Sequence, residues 1–430
     1  NWPSLIDEVC TELEVLEAAR SLVTGVRDDE RKLRPHQADA LAAWVQQGRR
    51  GILEHATGSG KTFTALSAID DALRKGEVPL ILVPSKLLFE QWEEELRTTL
   101  KVPGEDGALL RCGNGHMGWR RNERLGAFTH PGSRPRVVLA MMPTAATTDF
   151  LDSVEQGDHL FVVADEVHRM GSPGNLSITG LQSGPRLGLS ATPRRAGDPE
   201  GTVRLFDYFG GIIEPPFTLE DAIEAGVLTR YVYRPYTLNL TDSEQDDWDR
   251  LSGQIRQSYA RDESARQRGQ LRDGARVKRL LIERARVAKG AVQKVPLAVD
   301  VVREHYCHGQ RWLVYCDTQD QLHAVRAALR SAGFDASDYH RGMGADADQT
   351  LRHFEVNGGI LVSIRCLDEG VDIPQATHAL ILASSRNPRE FIQRRGRVLR
   401  KFPGKRLAHV YDALVLPPDS IGDTVDTGLL

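Results

Sequence analysis

A chain of 430 residues has room for two or three domains with ample cores. Its composition, 40% hydrophobic and 27% charged, is that of a globular chain, and no apolar run approaches membrane-spanning length. A formal net charge of −4 excludes a uniformly basic surface, so any contact with nucleic acid has to be local.

In chain order, Leu5, Val9, Leu13, Leu16 and Val23 recur near helical spacing. They predict an amphipathic helix within residues 1–30, docked on the first lobe. Next comes Leu33–Gln37, with a helix over Ala38–Gln46. Pro35 suits a first helical turn. The Gln37 amide both donates and accepts, which suits reading an adenine edge, although a capped surface helix fits the same pentapeptide. Gly51–Leu53 reads as the end of a buried strand and Phe63–Asp71 as a helix. Between them lies Thr57-Gly58-Ser59-Gly60-Lys61-Thr62. A turn of this kind gathers backbone N–H groups at a helix N-terminus, where the dipole favours an anion. Gly58 and Gly60 let the backbone approach phosphate without a Cβ in the way. Lys61 is expected to reach the terminal phosphates, and the Thr62 hydroxyl to ligate Mg²⁺. The first position of G-x-x-x-x-G-K-[ST] is held by His55 instead of Gly.

Apolar runs at Leu80–Val83, Val137–Met142, Leu160–Val163 and Arg186–Leu189 alternate with helical segments, among them Lys86–Thr98 after Pro84 and Ser85. This predicts an α/β fold with a parallel sheet buried on both faces. Residues 101–135, rich in Gly, Arg and Pro, read as a loop or insertion. The Leu160–Val163 strand runs on to Asp165 and Glu166. At the carboxyl end of a strand, Asp165 is placed to hold Mg²⁺ and Glu166 to polarise an attacking water. The fifth run ends in Ser190, Ala191, Thr192 and Pro193 on the same edge. Residues 202–235 are expected to close the first lobe.

Residues 250–289 carry twelve Arg or Lys against four Asp or Glu, an excess of eight positive charges. Leu251, Ile255 and Tyr259 recur every fourth residue, so long helices are expected there. Their basic face either lines a nucleic-acid groove or is simply solvated. A second α/β unit follows, with helices over 296–306 and 319–332. Its strands are expected at Trp312–Tyr315, near Phe334, and at Gly359–Val362, Ala379–Leu382 and Leu407–Tyr411. After the third of these comes Glu369–Pro374, where Asp372 is either a ribose-hydroxyl acceptor or an ordinary turn carboxylate. In the run Gln393–Arg400, Arg397 and Arg400 would share a helix face, and planar guanidinium groups suit a γ-phosphate. The five cysteines (Cys10, Cys112, Cys307, Cys316 and Cys366) never fall at C-x-x-C spacing, and Cys112 with His116 is too sparse for zinc; reduced thiols are expected.

Thr57–Thr62, Asp165–His168 and Ser190–Thr192 together resemble motifs I, II and III of the superfamily 2 helicases, in order and in spacing. Arg34–Gln37 resembles the adenine-reading motif of that family, Gly370 and Asp372 its motif V, and Gln393–Arg400 its motif VI. The resemblance spans about residues 31–413. It implies two RecA-like lobes with parallel sheets, joined by the basic helical connector, with ATP and Mg²⁺ between them. It gives Arg34, Gln37, Thr57, Gly58, Ser59, Gly60, Lys61, Thr62, Gly370 and Asp372 to the nucleotide, and Thr62 and Asp165 to the metal. Lys61, Glu166, Gln393, Arg397 and Arg400 become catalytic, and His168, Ser190 and Thr192 coupling residues. Pro84 and Ser85 (motif Ia) and Thr144 (the Ib region) would touch a nucleic-acid backbone, or else merely start helices.

The Asp-Glu-Val-His form and Glu369–Asp372 look most like the XPB-like and type III restriction motor branch, which acts mainly on DNA, in the 3′ to 5′ direction. The expected function is therefore an ATP-dependent nucleic-acid translocase or helicase, with DNA favoured over RNA. The alternatives are an RNA helicase of the same architecture and a nucleotide-gated binding scaffold without motor activity. The expected domains are 1–30, 31–235 (first lobe), 236–295 (connector), 296–416 (second lobe) and a tail, 417–430. A start at Asn1 instead of Met and the absence of a signal peptide suggest a cytoplasmic fragment, nucleoid-associated in a bacterium. Further domains or subunits of a repair, restriction or defence complex would be its partners, and no membrane.

Overall fold

A computed structural model describes residues 32–102, 108–132, 134–195, 197–267, 274–343, 346–364, 373–384 and 396–416. The predicted N-terminal helix, Gly370, Asp372, Gln393 and the tail lie outside the described residues. No helix among the described residues is long and apolar enough to cross a membrane. The chain divides into two compact units, the first ending at Leu228 and the second starting at Thr229.

The first unit is built on a parallel sheet with strand order β1-β6-β5-β2-β4-β3. The strands are β1 (Arg50–Glu54), β2 (Val78–Val83), β3 (Leu109–Cys112), β4 (Val137–Met141), β5 (Leu160–Asp165) and β6 (Arg186–Ser190). Every residue of β2 and β5 is buried, as their unbroken apolar runs require of central parallel strands. Alternate residues feed two cores: Leu80, Leu82, Val162 and Ala164 pack into one, and Ile81, Val83, Phe161 and Val163 into the other. Helices α1 (Pro35–Gln46), α2 (Lys61–Arg74) and α3 (Lys86–Thr98) bury Trp44, Leu66, Ile69, Phe89 and Trp92 in the second core. The outer edge of β1 is covered by residues 211–217, which bridge Ile52 to Ile212 and His55 to Phe217. Gly51 makes room for this cover, since a Cβ there would lie 2.4 Å from Cγ1 of Ile213.

β3 falls inside the stretch 101–135 expected to be a loop. It is only four residues long and pairs along one side only, with β4, so its sequence signal is weak.

The second unit holds another parallel sheet, of order β7-β12-β11-β8-β10-β9. Its strands are β7 (Arg230–Leu238), β8 (Arg311–Cys316), β9 (Ala336–Tyr339), β10 (Gly359–Ile364), β11 (His378–Ile381) and β12 (Leu407–Val415). β7 pairs with β12 over its whole length, so residues 229–235, expected to end the first lobe, lie in the second unit. The basic stretch forms the long helices α4 (Asp242–Gln267) and α5 (Gly274–Gly290), which share a small core of Leu251, Ile255 and Leu280. Tyr259 is not on that face: it is 55% exposed, and Ser258 takes the buried position. The inward stripe steps from 255 to 258 because a helix turns in 3.6 residues, not four.

Across β12, β11 and β8 the side chains of His409, His378 and Trp312 stand directly opposite one another. His378 stacks on Trp312 at 4.6 Å and on His409 at 4.8 Å, with nearly parallel rings. Burial pushes the His378 pKa down to about 3, helped by the positive charge of His409, His305, Arg234 and Lys405. The folded value lies below the unfolded one, so this stabilisation is fully present above pH 6.5 and is lost as pH falls from there towards about 3. Between pH 6.5 and 5 the wild type should lose about 1 kcal/mol of unfolding free energy per pH unit more than His378→Phe, which keeps a stacked ring. Calorimetric unfolding of both proteins across this range checks it; parallel pH profiles would remove the stack from the account.

Candidate active site

Because the first sheet is parallel, the carboxyl ends of its strands share one edge, and nearly every candidate residue of this unit sits there. Between β1 and α2 the chain turns through Gly58 and Gly60 at φ of +84° and +91°. Gly60 is the N-cap of α2, so Lys61 and Thr62 open the helix. A Cβ on Gly60 would lie 2.5 Å from Nε2 of Gln37. The glycine therefore serves a close approach as well as a left-handed turn.

The Gln37 amide is bound to the loop. Its Nε2 donates to the Gly60 carbonyl at 3.0 Å and to that of Ser59 at 3.4 Å, while Oε1 accepts from the Arg34 N–H at 2.9 Å. A carbonyl oxygen takes two donors, so Oε1 keeps one lone pair. Arg34 is the N-cap residue of α1 and is exposed. His36 contacts the Ser59 carbonyl through Nε2 at 3.1 Å and stacks on Phe217 at 3.9 Å with the rings 4° apart. Phe217 is itself tied to the loop: its N–H donates to Glu54 at 3.0 Å and its carbonyl accepts from Ala56 at 2.8 Å.

Thr57, Gly58, Gly60, Lys61 and Thr62 are half-buried, and Ser59 is fully buried. Lys61 Nζ donates to the carbonyls of His55 at 2.9 Å and Ala56 at 3.2 Å. Burial, then the positive charge of Lys61 and His36, pushes the His55 pKa down to about 3. His55 is thus a neutral ring, and the position where the general pattern has Gly contributes a carbonyl to Lys61 and no charge.

Asp165 ends β5 and is buried. Its Oδ2 accepts from the Trp92 indole N–H at 2.8 Å and its Oδ1 from the Glu166 N–H at 2.8 Å. Burial raises its pKa, opposed by the Trp92 bond, the Lys61 charge and the Glu166 N–H. Glu166 adopts a left-handed backbone, φ +45°, a conformation costly for a residue with a Cβ. His168 Nδ1 lies 3.3 Å from Glu166 Oε2 and 3.3 Å from Ser190 Oγ. Ser190 Oγ in turn accepts from the Thr192 N–H at 3.1 Å. The three expected coupling residues thus form a chain of contacts starting at Glu166.

Further along the edge, Pro84 and Ser85 follow β2, and Ser85 caps α3 by accepting from the Leu88 N–H at 3.4 Å. Thr144 follows β4 and packs against the turn after β3, where a Cβ on Gly113 would lie 2.6 Å from its Oγ1. In the second unit, Arg397 is buried and Arg400 half-buried. Residues 396–398 are helical, but Arg400 is a bridge residue, so the two guanidinium groups do not lie on successive turns of one helix. The segment is pinned by the Thr229 N–H on the Leu399 carbonyl at 2.7 Å and by Lys405 Nζ on the Arg400 carbonyl at 3.0 Å.

His36, Trp92 and Phe217 are the participants not anticipated from sequence. A buried Trp needs a partner for its N–H, and that was the one available hint for Trp92. Phe217 reaches the loop from a remote segment, and nothing local signals it. No cluster of three or more His, Cys, Asp or Glu among the described residues could hold a metal. That excludes an all-protein cage there but suits Mg²⁺, which is bound by one or two protein oxygens plus substrate phosphates. Asp165 fits that role, because each of its oxygens has one donor and keeps a lone pair.

Residues 30–195 match the family model of the type III restriction enzyme res subunit, and residues 293–402 that of the helicase conserved C-terminal domain. The chain is 25% identical over 408 residues to the DNA 3'-5' translocase XPB2 of Sulfurisphaera tokodaii, covering 91% of this chain and 84% of that protein. It is 28% identical over 405 residues to the putative DNA 3'-5' helicase Rad25 of Halobacterium salinarum, covering 91% of this chain and 55% of that protein, so it spans about half of that relative. Among solved structures, the helicase domain of Pyrococcus furiosus Hef superposes with a TM-score of 0.55 at 17% identity, over 89% of this chain and 95% of that one. The type ISP restriction-modification enzyme LlaBIII bound to DNA superposes with a TM-score of 0.60 at 18% identity, over 92% of this chain and 28% of that one. Both likenesses are of fold.

Replacing Gly60 by Ala would force a methyl group onto Gln37 and strain the left-handed turn, at a cost of about 1–3 kcal/mol. Titration with a fluorescent ADP analogue should show at least a tenfold loss of affinity; an unchanged Kd would mean that the loop does not cradle phosphate.

Proposed function

Because the chain belongs to helicase superfamily 2, we propose that it is an ATP-driven translocase or helicase that moves on DNA, in the 3′ to 5′ direction. The observation that carries the ATPase reading is the carboxyl edge of the first sheet. There the loop over Thr57–Thr62 after β1, Ser190 at the end of β6, and Asp165 and Glu166 at the end of β5 close three successive strands of the sheet, with His168 in contact with Ser190. DNA as the track is supported by the DNA-acting names of the relatives.

The triphosphate is taken by the loop, with backbone N–H groups on its oxygens and Lys61 turned from the His55 and Ala56 carbonyls to the terminal phosphates. Asp165 and Thr62 would hold Mg²⁺, which would supply neutralisation of charge on the phosphate oxygens. Glu166 orients a water for in-line attack on the γ-phosphorus, the bond to ADP breaks, and Glu166 receives the water's proton. The state of Glu166 passes through His168 to Ser190 and Thr192. Arg397 and Arg400 are assigned the stabilisation of charge developing on the transferred group, a contribution typically of about 10³–10⁵ in rate. Gln37 and Arg34 are assigned to the base. Ser85 and Thr144 grip the strand backbone, which makes binding indifferent to sequence.

Lys61→Ala should abolish ATP hydrolysis, and wild-type turnover in that variant would refute the role of the loop. Steady-state turnover should rise more with duplex or single-stranded DNA than with RNA; the reverse order would make the protein an RNA motor. Arg400→Ala should bind ATP within about threefold of wild type yet lose at least 10³ in turnover, as removal of an arginine finger does. Normal hydrolysis there would take Arg400 out of the reaction.

A further inference from the structure

The contact between Trp92 and Asp165 is not used in the reaction just described. Trp92 lies on the core face of α3 and is 1% exposed. Phe89 and Leu96 flank it on the same face, so packing alone would be served by any large apolar side chain. What the indole adds is an N–H, and that N–H is aimed at Oδ2 of a buried carboxylate 2.8 Å away. The other oxygen is held by the Glu166 backbone. Two donors from different segments fix both the position and the plane of the carboxyl group.

Helix α3 is capped by Ser85 at the end of β2, and β2 pairs with β5, the strand that ends in Asp165. Trp92 is two turns further along the same helix, about 10 Å from its cap. One rigid element therefore has a proposed strand-backbone grip at its start and a hydrogen bond to the proposed metal carboxylate in its middle.

We propose that Trp92 is a positioning residue for Asp165, and that α3 carries the engagement of DNA at Ser85 to the hydrolytic site through this bond. The inference rests on the ATPase reading given above. A partner that orients a metal ligand typically contributes about 10–100-fold to metal affinity.

The test begins with nucleotide-free protein labelled with ¹⁵N on its six tryptophans. The indole N–H signal that disappears in Trp92→Phe should exchange slowly with solvent and should shift in Asp165→Asn. Fast exchange, or no shift, overturns the bond. Affinity for a fluorescent ADP analogue is then measured with and without Mg²⁺. Trp92→Phe should lose about tenfold or more of the Mg²⁺-dependent gain while the Mg²⁺-free affinity stays within twofold, and Trp92→His, which restores an N–H, should recover part of the gain. An equal loss under both conditions would indicate packing damage and overturn the positioning role, as would no loss. The ratio of DNA-stimulated to unstimulated turnover should fall at least fivefold in Trp92→Phe; a ratio kept at the wild-type value overturns the link to DNA. Failure of the wild type to bind ADP more tightly with Mg²⁺ would refute the ATPase reading itself, and is seen before any variant is made.

Discussion

A buried carboxylate must be compensated, and the first unit is arranged around compensating Asp165. Taking this group out of water raises its pKa, and what opposes the rise is an indole N–H, the charge of Lys61 and the backbone N–H of Glu166. Hydrogen bonds to charged groups contribute about 1.5–3 kcal/mol each, enough together to keep an ionised group tolerable at a strand end. The two donors come from the helix after β2 and the residue after β5, and the charge from the helix after β1. Holding one carboxylate thus ties the ends of the neighbouring strands β2 and β5 to that of β1, which lies beyond β6.

The glycine loop over Thr57–Thr62 shows a second form of mutual dependence. Gly60 has no Cβ because Gln37 occupies the space, and Gln37 lies there because α1 begins with Pro35 in its first turn and packs Trp44 into the core. Trp44 in turn donates its N–H to the Arg186 carbonyl at 3.0 Å, at the start of β6. The helix α1, the glycine loop and the sheet edge are joined through a handful of named contacts. The stacked pair His36 and Phe217 extends this to residues far apart in the chain.

Much of this was legible beforehand where a residue type answers a local demand. Unbroken apolar runs marked the central strands, glycines marked the loop, and the carboxylates fell at the end of β5 as a parallel sheet requires. What escaped notice depends on partners that no window along the chain contains. β3 is short and paired on one side, and Phe217 comes from a distant segment. Trp92 looks like one more core aromatic until its N–H is followed. The boundary at 235 misled because a strand carries no mark of the sheet it will join.

That last strand also changes how α4 and α5 are to be regarded. Since β7 precedes them and is zipped to β12, the polypeptide has already entered the second sheet before the basic helices begin. They are a branch grown from within that unit, inserted between its first strand and the remainder, and among the described residues the chain passes from the first unit to the second at Leu228 and Thr229. Evolution can therefore lengthen, recharge or trim the branch without altering the tether, which leaves this hairpin free to diversify while the engine beneath it stays the same.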